Sequence, residues 1–189
     1  MENIQHTPVV LGTSRAGRQS ESVAKYLVSV LESREDLTTE LVDVKAHVKE
    51  AVTVPPWGEG GADESDSAWK DIVGKSDALI LVIPEYNHGY PGELKLLLDS
   101  LYGHYKGRPV MLVGVSTGTL GGSRVIDHIK PVLIEMNLTP IKGSISFPKI
   151  KETFNEDGSI KDEKTTEYVN KVTDGLAETA SLLSSLRTE

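Results

Sequence analysis

The chain of 189 residues carries 28 acidic and 20 basic side chains, a net charge of −8, and contains no cysteine. The negative charge disfavours binding to nucleic acid or to an anionic membrane. The lack of cysteine excludes disulfides, thiolate nucleophiles, iron–sulfur clusters and thiolate-bound zinc. The length predicts a single domain over residues 1–189. We expect a soluble cytoplasmic protein, because the N-terminus has no signal-peptide pattern and the longest apolar run, residues 78–84, is too short to cross a membrane.

Short apolar runs alternate along the chain with segments of helical periodicity. The apolar runs predict strands over residues 8–12, 37–44, 78–83, 110–115 and 138–147. The periodic segments predict helices over residues 22–33, 69–75, 91–101, 125–136 and 162–186, with a kink at Pro131 in the fourth. Residues 51–67 are rich in proline, glycine and acids and predict a long loop. This alternation is typical of an α/β fold with a parallel sheet, in which ligands bind beyond the carboxyl ends of the strands.

The first loop, residues 12–22, follows the first predicted strand and leads into the first helix. It contains four hydroxyl side chains and two arginines, Arg15 and Arg18, with no acid before Glu21. Backbone N–H groups at the start of a helix favour an anion, and hydroxyls and arginines add donors suited to phosphate. The loop therefore predicts a phosphate site, although it matches neither the G-x-G-x-x-G nor the Walker pattern. The alternative is a polar turn with solvated arginines.

Two further loops follow the third and fourth predicted strands, at the same edge of the sheet. The second loop, residues 84–92, combines two glycines with Tyr86, Asn87 and Tyr90, whose side chains suit a planar, polar ring. The third loop, residues 116–123, contains three glycines and four hydroxyls, a composition that offers backbone donors to a polar ligand. Each loop alone is also compatible with an ordinary surface turn, and the tyrosines with core packing. Three such loops at one edge predict a ligand site.

One motif in this region is also typical of hydrolases. The residues Gly114-Val115-Ser116-Thr117-Gly118 match the nucleophile elbow of α/β-hydrolases, which need an acid and then a histidine later in the chain. The last histidine is His128 and the acid between is its neighbour Asp127, so the two cannot form a relay with Ser116. The five histidines show no metal-binding spacing, and we predict no metal site.

The motifs of the three loops resemble those of the NAD(P)H-dependent FMN reductases and the related azo and quinone reductases. The similarity covers residues 7–147, and the matching motifs are Gly-Thr-Ser-Arg-x-Gly-Arg from Gly12, Pro-Glu-Tyr-Asn-His-Gly-Tyr-Pro-Gly-x-Leu-Lys from Pro84, and Ser-x-Gly-x-x-Gly-Gly from Ser116. The second motif is the most specific. The resemblance implies a flavodoxin-like three-layer α/β/α sandwich with a five-stranded parallel sheet in the order 2-1-3-4-5. It also implies FMN as the cofactor and NADPH or NADH as the electron donor.

The resemblance further implies a cofactor-binding role for residues in each loop. The FMN phosphate would be held by Thr13, Arg15, Arg18, Ser20, Glu21 and Ser22, with Glu21 acting through its backbone N–H. The isoalloxazine ring would lie along Pro84, Glu85, Tyr86, Asn87 and His88. The flavin edge would meet the third loop at Ser116, Gly118, Gly121 and Gly122. No catalytic side chain is implied, because the flavin performs the chemistry.

The reaction implied by the resemblance is a transfer of hydride from NAD(P)H to FMN. Electrons would then pass to a small-molecule acceptor, a flavin, a quinone or an azo compound, in a ping-pong scheme. Two alternatives remain open, because one fold hosts many functions. One is a non-enzymatic electron carrier of flavodoxin type, and the other is a regulatory module without redox chemistry.

The helix after the second loop predicts self-association. Residues 94–102 are apolar nearly all round, so one side would be exposed unless a partner buries it. Members of the family that the chain resembles pair through this helix, and we expect a homodimer or a homotetramer. The alternative is that residues 51–67 cover the helix. The same segment, with Trp57, is a candidate lid over the site.

Overall fold

The computed structural model describes residues 4–48 and 67–187. Its strands are β1 (Gln5–His6), β2 (Val9–Leu11), β3 (Leu37–Thr38), β4 (Leu41–Asp43), β5 (Leu79–Pro84), β6 (Arg108–Val115) and β7 (Leu138–Phe147). Its helices are α1 (Ser20–Glu32), α2 (Val44–His47), α3 (Ser67–Lys75), α4 (Gly92–Asp99), α5 (Ser123–Glu135) and α6 (Lys164–Leu182). Two 3₁₀ turns, Ile150–Glu152 and Ser184–Arg187, follow β7 and α6.

Five strands form one parallel sheet in the spatial order β4-β2-β5-β6-β7. Numbered one to five along the chain, they have the order 2-1-3-4-5, and the predicted α/β class is confirmed. The strands β1 and β3 form an additional two-stranded parallel pair that the sequence analysis did not predict. The single strand predicted over residues 37–44 is therefore wrong. It is divided into β3 and β4, because the Thr39 hydroxyl donates to the Thr7 carbonyl at 2.8 Å and interrupts the ladder.

Each face of the sheet is covered by its own layer of helices. All six residues of β5 are buried. Its side chains alternate between the two layers: Ile80 and Val82 pack with residues of α1 and α6. Leu79, Leu81 and Ile83 pack on the other face with residues of α3, α4 and α5. Burial on both faces explains the uninterrupted apolar run of this strand and completes the three-layer sandwich.

Two helix ends differ from the prediction for local reasons. The helix α4 begins at Gly92, because Pro91 has extended backbone angles and is the N-cap. The helix α6 ends at Leu182, earlier than predicted, because the chain then tightens into a 3₁₀ turn. Arg187, at the end of that turn, donates to the Ala180 carbonyl at 2.8 Å and so fixes the last turn of α6.

Two further predictions concern the helix with Pro131 and the long loop. The helix α5 is continuous over its whole length with Pro131 inside it. Residues 51–66 of the predicted loop, including Trp57, lie outside the described residues, and Ser67 begins α3.

The starts of the strands, at the edge opposite to the three loops, are held by two arginines. Arg108 is buried, and its guanidinium donates to the backbone carbonyls of Val73, Gly74, Ser76, His104 and Lys106. Burial lowers the pKa of Arg108, and the nearby charge of Arg187 lowers it further, against an opposing effect of Asp77. Arg187 donates to the Asp77 carboxylate at 2.9 Å and to the Gly107 carbonyl at 3.2 Å. These contacts fix α3, the start of β6 and the last turn to one another.

Candidate active site

The three loops meet at a cleft of about 310 Å³ beyond the carboxyl ends of β2, β5 and β6. Of the predicted site residues, the cleft is lined by Arg15, Arg18, Ser20, Pro84, Glu85, Tyr86 and Ser116. The lining is completed by Ala16, Gly17, Gln19, Val115, Thr117 and Ile150. The predicted residues that do not line it are Thr13, Glu21, Ser22, Asn87, His88, Gly118, Gly121 and Gly122. The parallel topology therefore brings all three loops to one edge of the sheet, as expected.

The start of α1 presents an unpaired hydroxyl to the cleft. The helix begins at Ser20, two residues earlier than predicted, and the Gln19 side chain makes no capping hydrogen bond. The Ser20 side chain is buried, and its hydroxyl has no partner among the described residues. A buried hydroxyl without a partner costs stability, so its presence points to a ligand that pairs with it. An anion there would also accept from the N–H groups of the first turn, and the donors fit a phosphate group.

Arg18 lines the cleft, but carboxylates already balance its charge. Its guanidinium pairs with both oxygens of Asp43, at 2.9 Å for one of them, and with Glu21 at 3.3 Å. The hydrogen bond to Asp43 raises the pKa of Arg18 against the opposing effect of burial. Burial by itself would raise the pKa of Asp43, but Arg18 and the Lys45 N–H outweigh it and leave that pKa lowered. With the Thr13 carbonyl as a further acceptor, four of the five Arg18 N–H groups are engaged, so a bidentate contact with a phosphate would require breaking this pair.

The two tyrosines of the second loop have different surroundings. The guanidinium carbon of Arg15 lies 4.7 Å from the centre of the Tyr86 ring, so a cation covers one face of that ring. The Tyr90 ring lies 5.3 Å from the His128 ring and is partly buried in the layer of α3, α4 and α5. Tyr90 therefore packs in the core, which was the alternative to a ligand contact, whereas Tyr86 borders the cleft.

Thr13 is fully buried and makes protein contacts rather than lining the cleft. Its hydroxyl lies 3.1 Å from the Tyr86 hydroxyl and 2.9 Å from the Glu93 carboxylate. The same Glu93 oxygen accepts the Ser14 N–H at 2.9 Å. The sequence analysis missed Glu93. The sequence does show that this residue is an acid in the first turn of the helix after the second loop, and that position could have indicated it.

The middle of the second loop is a two-residue turn. Tyr86 and Gly89 exchange backbone hydrogen bonds, each at 2.9 Å. Between them, Asn87 and His88 have φ angles of 50° and 65°, in the left-handed region that residues other than glycine rarely adopt. Both residues are exposed. Strain of this kind is concentrated at ligand sites, which agrees with the predicted place of the turn beside a cofactor.

Glu85 brings a second unpaired polar atom to the cleft. Its side chain is 9% exposed, and one carboxylate oxygen accepts from Arg124 at 3.3 Å. The other oxygen, Oε2, is buried and has no partner among the described residues. A carboxylate oxygen in this state requires an N–H or O–H donor. Glu85 therefore favours a ligand that presents such a donor beside the second loop.

The third loop packs closely on the sheet through its glycines. A Cβ at Gly122 would lie 2.7 Å from the Val115 nitrogen, and one at Gly121 would lie 2.8 Å from the Pro148 nitrogen. Both glycines also have positive φ angles, 85° and 60°. These two predicted residues therefore shape the loop. Ser116 is the predicted third-loop residue that lines the cleft.

A fourth segment, residues 147–150, also borders the cleft and was missed by the sequence analysis. Ser116 N–H donates to the Phe147 carbonyl at 3.1 Å, Lys149 N–H to the Gly118 carbonyl at 3.0 Å, and Ile150 N–H to the Ser116 carbonyl at 3.1 Å. The Ile150 side chain lines the cleft. The available signal was its position directly after the last strand, at the same edge of the sheet.

The groups of the hydrolase motif are engaged elsewhere. Asp127 pairs with Lys130 at 2.8 Å, His128 lies against Tyr90, and the Ser116 hydroxyl accepts the Gly118 N–H at 2.9 Å. Within residues 4–48 and 67–187, no group of three or more His, Cys, Asp or Glu side chains is placed to hold a metal ion. Over the same residues, no helix combines the length and apolarity that a membrane span requires.

Residues 8–152 match the family model described as NADPH-dependent FMN reductase. The chain belongs to this family. The NAD(P)H-dependent FMN reductase LOT6 of Saccharomyces cerevisiae is 28% identical over 148 residues, which are 71% of this chain and 76% of that protein. A 2-hydroxy-1,4-benzoquinone reductase of a Burkholderia species is 26% identical over 181 residues, 89% of this chain and 92% of that protein. The solved structure of FerB, an NAD(P)H:(acceptor) oxidoreductase of Paracoccus denitrificans, matches with a TM-score of 0.74 at 24% identity, covering 94% of this chain and 98% of FerB.

Membership in the FMN reductase family confirms three predictions made from the loop motifs. The resemblance itself is confirmed, as are the oxidoreductase class and the pairing of FMN with a nicotinamide nucleotide. The likeness to a solved short-chain flavodoxin, with a TM-score of 0.61 at 18% identity over 94% of this chain and 99% of that chain, supports the flavodoxin-like fold. The family match spans the first, second and third loops and the fourth segment, so every wall of the cleft lies inside it.

Proposed function

We propose that the cleft binds FMN and that the protein transfers electrons from NAD(P)H to a small-molecule acceptor, such as a quinone, in a ping-pong scheme. The observation that carries the proposal is the unpaired Ser20 hydroxyl at the uncapped start of α1. The family match adds the nature of the anion, the phosphate of FMN. The quinone acceptor is suggested by the relative named as a benzoquinone reductase.

The residues of the cleft divide by role. The phosphate would be held by the Ser20 hydroxyl, by the Glu21 N–H and by the Arg15 guanidinium, whereas the Ser22 N–H already donates to the Gln19 carbonyl at 3.3 Å. Thr13 and Arg18 would act indirectly, because their polar groups are held by Glu93 and Asp43. Of the two arginines in the first loop, Arg15 would therefore be the one whose charge is not already paired with a carboxylate.

The second and third loops would orient the flavin ring. The ring would lie along the segment from Pro84 to His88, and the Glu85 carboxylate would accept a donor from it. Ser116 and Gly118 would contact its edge, while Gly121 and Gly122 keep that loop against the sheet. FMN supplies the ability to accept a hydride and to pass electrons on, and the chain binds, orients and shields it.

An anaerobic titration tests the proposal. FMN is added to the purified protein, followed by NADPH or by NADH, and the visible absorbance of oxidised flavin is recorded. Rapid bleaching, followed by recovery of the absorbance when a quinone is added, is the expected result. FMN binding without bleaching would identify an electron carrier, and no FMN binding would refute the assignment of the cleft.

Two variants localise the effect. Arg15→Ala removes the exposed cation over Tyr86 and should slow bleaching at limiting FMN. Lys171→Ala removes an exposed cation from α6 and is the matched control, which should bleach at the parental rate. Equal rates for all three proteins would contradict the placement of the phosphate beside Arg15.

The Ser20→Ala variant should separate ligand binding from stability. Removal of a buried hydroxyl that has no partner should leave the free energy of unfolding unchanged or raise it by up to about 1 kcal/mol. The same change should weaken FMN binding about tenfold, because a hydrogen bond to a charged phosphate is lost. Chemical denaturation and quenching of flavin fluorescence measure the two effects. A variant that loses stability but binds FMN normally would contradict the role of Ser20.

We also propose a homodimer that pairs through α4. The helix buries Leu94, Leu97 and Leu98 in the core of its own subunit and leaves Leu96 partly buried. Tyr102, just beyond the helix, is 70% exposed. The apolar surface is therefore smaller than predicted and is centred on the end of the helix. Light scattering should give at least twice the chain mass of 20.5 kDa, and Tyr102→Glu should halve it. A parental protein that is monomeric at micromolar concentration would refute the dimer.

A further inference from the structure

We propose that Glu93 is a positioning residue that holds the first loop and Tyr86 in the arrangement that binds FMN. The inference rests on the proposed function and extends it to a residue outside the cleft. Glu93 occupies the unspecified position in the Pro-Gly-x-Leu-Lys part of the second motif. Its effect on the ligand would therefore pass through other residues.

The Glu93 carboxylate joins α4 to the first loop. Its Oε1 atom accepts from the Thr13 hydroxyl at 2.9 Å, the Ser14 N–H at 2.9 Å and the Ser14 hydroxyl at 3.3 Å. Burial by itself would raise the pKa of Glu93, but its own N–H, the Ser14 N–H and the two hydroxyls outweigh it and leave that pKa lowered. Glu93 is therefore ionised at neutral pH and can only accept hydrogen bonds.

The ionised carboxylate sets the direction of the neighbouring hydrogen bonds. Thr13 is fully buried and has a single hydroxyl hydrogen, which it donates to Glu93. The Thr13 oxygen must then accept from its other two neighbours, the Tyr86 hydroxyl at 3.1 Å and the Arg15 N–H at 3.3 Å. The hydrogen bonds run from Tyr86 through Thr13 to Glu93. The Tyr86 hydrogen is thereby turned away from the cleft, and its oxygen stays an acceptor.

The same contacts hold Arg15 at two points. Its backbone is held by Thr13, and its guanidinium lies over the Tyr86 ring at 4.7 Å. Arg15 and Tyr86 both line the cleft. Loss of the Glu93 carboxylate would release the Thr13 hydroxyl, the backbone of Ser14 and the Tyr86 orientation together. A second effect has the opposite sign, because a negative charge near the phosphate repels it. We expect the loss of three hydrogen bonds to one ionised oxygen to outweigh this repulsion, because Glu93 does not line the cleft.

The dissociation constant of FMN, measured by quenching of flavin fluorescence, tests whether the lost hydrogen bonds outweigh the relieved charge repulsion. The measurement needs no catalytic activity. Glu93→Ala should weaken FMN binding about tenfold, and Glu93→Gln, which keeps an acceptor oxygen, should stay within about threefold of the parent. Asp99→Ala removes an exposed carboxylate from the same helix and is the matched control, with unchanged affinity expected. Tighter binding by Glu93→Ala would show that repulsion dominates and would overturn the inference. Equal weakening by the glutamine and alanine variants would also overturn it.

A double substitution separates positioning from direct phosphate binding. Because Glu93 acts partly through Thr13 in this scheme, Glu93→Ala combined with Thr13→Val should weaken FMN binding by less than the product of the two single losses. If Thr13 contacts the phosphate itself, the two losses will multiply, which overturns the inference. Riboflavin, which lacks the phosphate, should lose less affinity than FMN in Glu93→Ala, because the contacts of the first loop with the phosphate do not contribute to its binding. Equal losses for riboflavin and FMN would indicate a general structural defect instead.

The outcomes distinguish this inference from the proposed function. A parental protein that fails to bind FMN refutes the proposed function. A parental protein that binds FMN, with a Glu93→Ala variant that binds it equally well, refutes only the role of Glu93. Thermal denaturation of each variant confirms that the compared proteins are folded.

Discussion

Replacement of Arg108 by methionine is expected to lower the free energy of unfolding by about 3 kcal/mol. Arg108 is 7% exposed, and its guanidinium donates to five backbone carbonyls at distances from 2.7 to 3.2 Å. Methionine has a similar length but donates no hydrogen bond, so these carbonyls would lose the guanidinium, although the Val73 carbonyl would keep the Ser76 hydroxyl as a donor at 2.8 Å. Removal of a buried charge recovers part of the cost, which keeps the loss below the sum over all five bonds. The melting temperature should fall by about 10 °C, as measured by circular dichroism.

Two observations control this experiment. Arg108→Lys keeps the charge but offers a smaller set of donors, so its loss should be intermediate. FMN affinity of the folded Arg108→Met protein should equal that of the parent, because Arg108 begins β6 and the cleft lies beyond the opposite end of that strand. A loss of less than about 1 kcal/mol would show that water or other donors replace the guanidinium.

Replacement of Gly114 by alanine is expected to destabilise the protein by about 3 kcal/mol and to weaken FMN binding more than tenfold. A Cβ at this position would lie 2.6 Å from the Gly121 carbonyl oxygen and 2.8 Å from the Gly122 carbonyl oxygen. Both obstacles are backbone atoms, so no side-chain rotation can relieve the contact. The third loop would have to move off β6 and would displace Ser116 from the cleft. Chemical denaturation and flavin fluorescence measure the two losses.

Gly175→Ala is the matched control for this substitution. Gly175 lies within α6, and a Cβ there would have no neighbour within 4 Å. Alanine favours a helix over glycine, so this variant should gain up to about 1 kcal/mol and bind FMN normally. If Gly114→Ala has the stability and affinity of the parent, the close packing of the third loop does not determine the shape of the cleft.

The fold and the position of the cleft could be predicted because their signals are local. The apolar run of β5 is uninterrupted, since both faces of that strand are buried. The loops after β2, β5 and β6 are rich in glycine and hydroxyl residues, and a parallel sheet brings the ends of its strands to one edge. The packing role of Gly121 and Gly122 needed coordinates, because a glycine in a sequence does not show what lies 3 Å from it.

The partners of the site residues could not be predicted, because they come from distant parts of the chain. Arg18 pairs with Asp43, 25 residues away at the end of the neighbouring strand β4. Thr13 pairs with Glu93, 80 residues away on α4. The segment around Ile150 docks on the third loop through backbone hydrogen bonds, which many sequences can form. The types of residue in the first loop indicated phosphate chemistry, but not which of them were already engaged.

The pairing of Arg18 with Asp43 has a consequence for the effect of ionic strength. Within the first loop, Arg18 is neutralised by carboxylates, and the exposed Arg15 is the cation left to meet a phosphate. A phosphate held chiefly by a hydroxyl and by oriented N–H groups is less sensitive to screening than one held by several exposed arginines. Added salt should therefore weaken FMN binding only slightly, because it screens a single charge pair, that of Arg15 with the phosphate. The cofactor would stay bound when the ionic strength of its surroundings rises.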